Sequence, residues 1–167
     1  EFRKYVGDTN KEDFKLAVMT AGLLHDVGHA PFSHVYEMAN DYDHEEVGYK
    51  VASVILEDFK GELWAQWALA ALDKLRENVG FIPLLIRSII DGPIDVDKGD
   101  YLLRDSYHSG VPYGHYGHLR LWTNVKFVVE KGSDGNLIPK LAVGEKAVYE
   151  AYHLLISRIH MYKAVYE

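Results

Sequence analysis

Apolar residues recur at helical spacing through most of the chain, and glycine, proline or polar clusters interrupt them. In the first such segment Phe14, Ala17, Val18, Ala21 and Leu24 follow a period near 3.6 residues, which is typical of a helix buried on a broad face. The same kind of pattern predicts helices over residues 13–26, 31–39, 43–55, 63–75, 79–91, 95–108 and 145–167.

One segment departs from the helical pattern. Alternating β-branched residues at 125–131 and 137–143 flank the turn-forming residues 133–136, which predicts a β-hairpin. Residues 110–117 carry three glycines and one proline and are predicted to form a loop. The sum is a mainly α fold with one small hairpin, in a single domain over residues 1–167. We expect this chain to be part of a longer one, because it lacks an initiator Met and stops inside a helical pattern.

Composition narrows the class of protein. The 167 residues include 48% hydrophobic residues, which is enough for a core, and no cysteine, which excludes a disulfide scaffold and a thiol nucleophile. No apolar stretch approaches the roughly 20 residues that span a bilayer, so we expect no membrane partner and a cytoplasmic location. The formal charge of -7 argues against a nucleic-acid surface, although it leaves room for one small polyanionic substrate.

Histidines concentrate in one short part of the chain. Of the nine histidines, His25, His29, His34 and His44 fall within twenty residues. Acidic residues share that segment: Asp26, Glu37, Asp43, Glu45 and Glu46. A histidine and an aspartate at the end of a helix can both reach one ion lying over that end, and imidazole with carboxylate suits Mg, Mn, Fe, Ni or Zn. A hydrogen-bonded helix end is the alternative interpretation of His25 and Asp26.

Two later helices each present a polar face. Lys98, Tyr101 and Asp105 are spaced at i, i+3 and i+7 and therefore line one face about two turns long. Lys98 also follows the carboxylate of Asp97, where a cation can hold a phosphate. The second face recurs every four residues and comprises Arg158, Tyr162 and Tyr166. An amphipathic core edge is the alternative interpretation of this second face.

Four strings in order carry a family resemblance: HDVGHAPFSH at 25–34, HE at 44–45, DVDKGDYLLRDS at 95–106 and RIHMYKAVY at 158–166. Together they resemble the HD-domain phosphohydrolases. The resemblance is closest to the deoxynucleoside triphosphate triphosphohydrolases, the branch of the bacterial dGTPases and the animal SAM- and HD-domain dNTPase. It extends from about Ala21 to Tyr166.

The resemblance implies an HD-domain helical fold, a divalent metal ion and hydrolysis of dNTPs to deoxynucleoside and inorganic triphosphate, in a homo-oligomer. It implies His25, Asp26 and Asp97 as metal ligands. The family's fourth ligand is a histidine on an earlier helix, and no histidine precedes His25 in this sequence.

The resemblance also implies roles around the substrate. His29 and His34 match positions that face the phosphates, and His44 matches a histidine tied to catalysis. His34 or His44 is the candidate proton donor, with Glu37 or Glu45 setting its protonation. A structural hydrogen bond for His34 and a solvated helix start for His44 remain the alternatives.

For the two polar faces, the resemblance implies contacts to substrate. Lys98 matches a phosphate contact, Tyr101 a sugar contact and Asp105 a contact to the 3′-hydroxyl. Arg158 matches a phosphate-binding arginine, with Tyr162 and Tyr166 near sugar and base.

Two glycines depart from the family pattern. Gly99 stands where a bulky apolar residue is usual and is expected to loosen local packing, while Gly117 puts the contribution of its loop in question. The rival functions are an HD phosphohydrolase acting on another nucleotide or a phosphomonoester, and a non-catalytic nucleotide sensor or single-strand nucleic-acid binder.

Overall fold

The computed structural model describes residues 7, 10–76, 79–132 and 135–167. The chain divides into two compact units, residues 1–90 and 91–167. The described helices are α1 Lys11–Leu24, α2 His34–Ala39, α3 His44–Ile55, α4 Leu63–Leu72, α5 Phe81–Ile90, α6 Val96–Ser109, α7 His118–Trp122 and α8 Val148–Met161. With the hairpin described below, they confirm the predicted mainly α fold. The single domain over residues 1–167 stays a prediction.

Small residues build the core of the first unit. Helix α1 packs on α4 and α5, and α3 packs on α4. Ala17, Ala21, Ala52, Ala65 and Ala68 are all buried at these contacts. Alanine leaves no long side chain between the helices, so their backbones approach closely. The result is a tight scaffold behind the turn that follows α1.

Larger side chains fill the core of the second unit. Leu102, Leu121, Leu154 and Met161 are fully buried where α6, α7 and α8 contribute to one cluster. Beside it, strands β1 Val125–Lys131 and β2 Leu137–Val143 pair antiparallel, with Val125 opposite Val143 and Lys131 opposite Leu137. Of the predicted turn, Ser133 and Asp134 lie outside the described residues, as do the first six residues on which the expectation about the chain start rests.

Most element boundaries differ from the sequence pattern by one to three residues; the helix predicted over 63–75, for example, ends at Leu72. Three differences are larger or have a physical cause. The helix predicted from residue 31 begins at His34, because Phe32 and Ser33 have positive φ angles of 68° and 49°. The last predicted helix consists of a 3-10 turn at Glu145–Ala147, helix α8 and a π-helical turn at Tyr162–Tyr166. The sequence pattern did not predict the short helix α7, His118–Trp122.

The expectation that Gly99 loosens the packing is wrong. Gly99 is buried, and a Cβ built on it would overlap the ring of Trp122 and lie 2.7 Å from the hydroxyl of Tyr116. Two aromatic rings therefore occupy the space that a side chain would take. Gly117 also has a defined contact, because its N–H donates to the Glu150 carboxylate at 3.0 Å and so ties the loop to α8.

Across the described residues, no helix combines the length and the apolar composition that a membrane crossing requires.

Candidate active site

The turn after α1 lies directly against the start of α3. Gly28 allows this approach, because a Cβ there would overlap the carbonyl oxygen of His44 and the backbone nitrogen of Gly48. The Tyr42 hydroxyl donates to the Gly28 carbonyl and holds the incoming segment in place. Local sequence therefore brings His44 beside the turn that carries His25.

His25 and Asp26 form the first element of the site. The Nδ1–H of His25 donates to the Gly22 carbonyl at 2.8 Å, so in the neutral imidazole Nε2 is the nitrogen that bears the lone pair. This Nε2 lies 3.3 Å from Oδ2 of Asp26. A lone pair facing a carboxylate is favourable only with a proton or a cation between them. The two residues therefore fit a divalent cation, whose usual ligands are imidazole nitrogen and carboxylate oxygen.

A second group lies next to this pair, and we call it the histidine cluster: His29, His34, Glu37 and His44. Each member offers one ligand atom, and these four atoms all lie within 4.8 Å of one another. The rings of His29 and His44 stack at 3.8 Å between centroids, and the ring of His34 meets that of His29 edge-on at 4.9 Å. Asp26 adjoins the cluster, with Oδ1 3.7 Å from Nε2 of His29.

Glu37 joins two histidines through its two carboxylate oxygens. Oε2 accepts from His34 Nδ1 at 2.7 Å, while Oε1 accepts from the backbone N–H of His44 at 2.9 Å and from its Nδ1. The hydrogen bonds from His34 and then from His44 lower the pKa of Glu37 from 4.5 to about 2, so this carboxylate is ionised at neutral pH. Burial, and then the neighbouring His44, lower the pKa of His29 below its ordinary 6.5.

An unusual backbone conformation at Phe32 and Ser33 directly precedes His34. Both residues have positive φ, which costs energy for residues other than glycine and is found mostly where a site requires it. The Phe32 side chain is 84% exposed, so the core gains nothing from this conformation. The turn ends at His34, the first residue of α2, and the contact of His34 with Glu37 is the i,i+3 contact within that helix.

The structure distinguishes between the functional and the structural interpretations of His34 and His44. The side chain of His44 is only 17% exposed and contacts Glu37, so a solvated helix start does not describe it. His34 does make a structural hydrogen bond, to Glu37, but its side chain remains 71% exposed and can meet a ligand. Of the two carboxylates proposed to set histidine protonation, Glu37 contacts them, whereas Glu45 pairs with Lys74.

In the second unit, Lys98 is held by a buried aspartate. Asp95 is fully buried and caps α6, accepting from the backbone N–H of Lys98 at 2.7 Å and of Gly92 at 2.8 Å. The ammonium of Lys98 lies 2.6 Å from the same carboxylate. Sequence reasoning missed Asp95 as the partner of Lys98, although an aspartate three residues before a lysine at a helix start is a recognisable signal.

The two predicted polar faces of the second unit meet. The Tyr166 hydroxyl donates to Asp105 Oδ2 at 2.6 Å, and the rings of Tyr101 and Tyr166 lie 6.2 Å apart. The guanidinium carbon of Arg158 lies 5.5 Å from the centre of the Tyr162 ring. Burial raises the pKa of Tyr101, and burial followed by the Asp105 hydrogen bond raises that of Tyr166, so both phenols stay protonated.

The other polar residues near the predicted site lie in the second unit. Asp97 lies in the first turn of α6, in the second unit. Arg104 and Asp100 form an ion pair with each other on α6. His115 contacts the Ser106 hydroxyl at 3.1 Å. The chemical roles assigned by resemblance stay predictions for every residue of the site.

Comparison with known proteins identifies relatives in archaea, bacteria and eukaryotes. The uncharacterized protein MJ1154 of Methanocaldococcus jannaschii is 36% identical over 156 residues, covering 92% of this chain and 30% of its own length. The uncharacterized protein YwfO of Bacillus subtilis is 30% identical over 156 residues, covering 89% of this chain and 32% of its own length. The deoxynucleoside triphosphate triphosphohydrolase SAMHD1 homolog of Dictyostelium discoideum is 28% identical over 173 residues, covering 89% and 29%. The chain thus spans about a third of the length of these relatives.

The family profile of the HD domain matches residues 2–105, which include the His25–Asp26 pair, the histidine cluster and α6 as far as Asp105. HD domains bind divalent metal ions, in agreement with the donor set at His25 and Asp26. The match covers more than half of the chain, so this protein belongs to the HD domain family.

Proposed function

We propose that the protein hydrolyses deoxynucleoside triphosphates to deoxynucleoside and inorganic triphosphate with the help of a divalent cation. The observation that carries the proposal is Glu37, which holds His34 and His44 together beside the His25–Asp26 pair. A relative of the chain in Dictyostelium discoideum and another in Gallus gallus bear the name deoxynucleoside triphosphate triphosphohydrolase, and this supports the choice of substrate.

In this proposal His25 and Asp26 hold the cation, and the resemblance adds Asp97 as a third ligand. When bound, the cation supplies Lewis acidity toward the phosphate and the attacking water. The water oxygen bonds to the α-phosphorus, and the bond from that phosphorus to the 5′-oxygen breaks. The departing oxygen needs a proton, which an imidazolium of His34 or His44 can donate while Glu37 fixes the orientation of both rings.

The second unit supplies groups suited to the rest of the substrate. Lys98 and Arg158 offset phosphate charge that a protein of net charge -7 would otherwise repel. Tyr101 offers a ring for the sugar, and Asp105 with Tyr166 offers a carboxylate and a phenol for hydroxyl groups. A ring packed where a 2′-hydroxyl would sit is a physical route to preferring deoxyribose.

Product analysis tests the reaction. The purified chain is incubated with dGTP and, in parallel reactions, Mg²⁺, Mn²⁺, Fe²⁺, Ni²⁺ or Zn²⁺, and nucleosides and phosphates are separated by chromatography. We expect deoxyguanosine and tripolyphosphate. Primary release of dGMP with pyrophosphate, or turnover of phosphomonoesters alone, would move the protein to the rival phosphohydrolase function. Binding of dGTP without turnover under every metal would indicate the nucleotide sensor.

A matched set of variants tests the role of the cluster. Glu37→Gln should lower turnover of dGTP by at least about 100-fold, which is the lower range for losing a positioned acid or base. Glu46→Gln is the control, because Glu46 lies on α3 but pairs only with Lys50 among the described contacts. A full loss in Glu45→Gln, with Glu37→Gln active, would show that the wrong carboxylate has been chosen.

Two further expectations belong to the proposal. Self-association is tested by sedimentation of the purified chain, and a cytoplasmic location by fractionation of cells that produce it.

A further inference from the structure

The histidine cluster has the composition of a metal site in its own right. Three imidazoles and one carboxylate offer four ligand atoms within 4.8 Å of one another. This set shares no residue with His25 and Asp26, although Asp26 lies 3.7 Å from His29. Without an ion, the two carboxylate oxygens of Glu37 already hold His34 and His44 close together.

Ligand chemistry selects the metal that would fit. Magnesium and calcium prefer six or more oxygen ligands, whereas zinc prefers four, with nitrogen and carboxylate oxygen among them. Zinc bonds of roughly 2.0–2.1 Å in a tetrahedron place ligand atoms about 3.3 Å apart. The spacing of up to 4.8 Å in the cluster must therefore contract by about 1.5 Å at its widest pair. The 71% exposed side chain of His34 is free to move toward an ion. The rings of His29 and His44 lie nearly parallel, at 14°, so one of them must also turn before both nitrogens face the same ion.

We propose that the histidine cluster binds one Zn²⁺ ion of its own and that this ion inhibits the enzyme. The inhibition rests on the proposed function, in which an imidazolium of His34 or His44 donates a proton. A nitrogen lone pair that is bonded to zinc cannot carry a proton, and a Glu37 bonded to zinc no longer orients the rings. Zinc would thus block hydrolysis even when a catalytic cation occupies His25 and Asp26.

Metal binding is measured first, without any assay of activity. Metal-free chain is titrated with Zn²⁺ against a chromophoric chelator, and the zinc retained after gel filtration is counted by mass spectrometry. We expect two ions in the wild-type chain, one in Asp26→Asn, and one in Glu37→Gln. The ion lost in Glu37→Gln should bind at least roughly 100-fold more weakly, because loss of even an outer contact to a metal site costs about 10–100-fold.

Cobalt gives a spectroscopic readout of the same site. Co²⁺ in a tetrahedral nitrogen-rich site has intense visible bands, which we expect in the wild type and in Asp26→Asn, and which should vanish in Glu37→Gln and His34→Ala. The control is His118→Ala, since His118 is exposed and belongs to the second unit. Circular dichroism confirms that each variant is folded, and the exposed position of His34 makes its replacement harmless to the core.

Three results would overturn the proposal. Equal zinc content and equal cobalt bands in wild type and Glu37→Gln would show that the cluster holds no metal. Loss of both ions in Asp26→Asn, with both retained in Glu37→Gln, would show that all zinc binds at His25 and Asp26. Retention of full Mn²⁺-dependent turnover at zinc concentrations that saturate the cluster would refute the inhibition. If the chain hydrolyses no dNTP at all, the two binding measurements still decide whether the cluster binds zinc.

Discussion

Replacing Gly99 with alanine adds a methyl group at a point where two aromatic side chains already meet. The new Cβ would overlap the ring of Trp122 and lie 2.7 Å from the hydroxyl oxygen of Tyr116. Neither ring can retreat freely, because the Tyr116 hydroxyl donates to the Gly99 carbonyl at 2.9 Å and accepts from Trp122 Nε1 at 3.0 Å. The methyl group must therefore displace α6 or break these hydrogen bonds.

The magnitude follows from comparison with a second helical glycine. Gly22 lies inside α1, and a Cβ there would meet only Ile90, at an ordinary 3.9 Å. Glycine to alanine in a helix interior gains about 1 kcal/mol of stability at either position. Overpacking costs typically about 1–3 kcal/mol and applies to Gly99 alone. The free energy of unfolding of Gly99→Ala should therefore lie about 1–3 kcal/mol below that of Gly22→Ala.

Urea unfolding followed by circular dichroism measures that difference. Trp122→Leu removes the obstructing ring, so Gly99→Ala should cost less in that background, with a coupling energy of about 0.5–3 kcal/mol. Equal stability of the two alanine variants within about 0.5 kcal/mol, or no coupling to Trp122, would refute the packing argument.

Two other properties are predicted from the site. The pKa of Glu37 is lowered from 4.5 to about 2, so the stabilisation it gives the folded state is complete above pH 4.5 and is lost as the pH falls toward 2. In urea unfolding across that window, the free energy of unfolding should decline more steeply with falling pH for the wild type than for Glu37→Gln. Identical slopes would contradict the assignment. Tyr101→Ala should raise kcat/KM for GTP relative to dGTP by at least about tenfold, which corresponds to about 1.4 kcal/mol. An unchanged ratio in steady-state kinetics would show that another residue selects deoxyribose.

Helical periodicity sufficed for most of the fold because the helices bury regular apolar faces. The same rules failed at Phe32 and Ser33, where positive φ angles delay the start of α2, since nothing in residue type alone favours that backbone there. Gly99 was misread because a missing side chain gives no sign of which neighbour fills its space. Trp122, 23 residues later in the sequence, is that neighbour.

For the site, the density of histidines predicted the region but not its internal contacts. The seven-residue spacing of Glu37 and His44 does not predict their contact, because the two residues lie on different helices, α2 and α3, separated by a turn. Their contact depends instead on Gly28, which allows the start of α3 to approach the turn after α1. Asp95 was missed because its full burial depends on tertiary contacts, in which it caps α6 and pairs with Lys98.

The position of Glu37 explains how one carboxylate can organise two histidines. It lies in the first turn of α2 and accepts from the backbone N–H of His44, the first residue of α3, so its carboxylate contacts the N-terminal end of α3. Helix N-termini stabilise negative charge through their unpaired N–H groups. An ionised Glu37 is consequently favoured by the backbone as well as by His34 and His44. Because both of its oxygens are engaged, rotation of the carboxylate would break contacts to one ring or the other, and the two imidazoles are held as a unit.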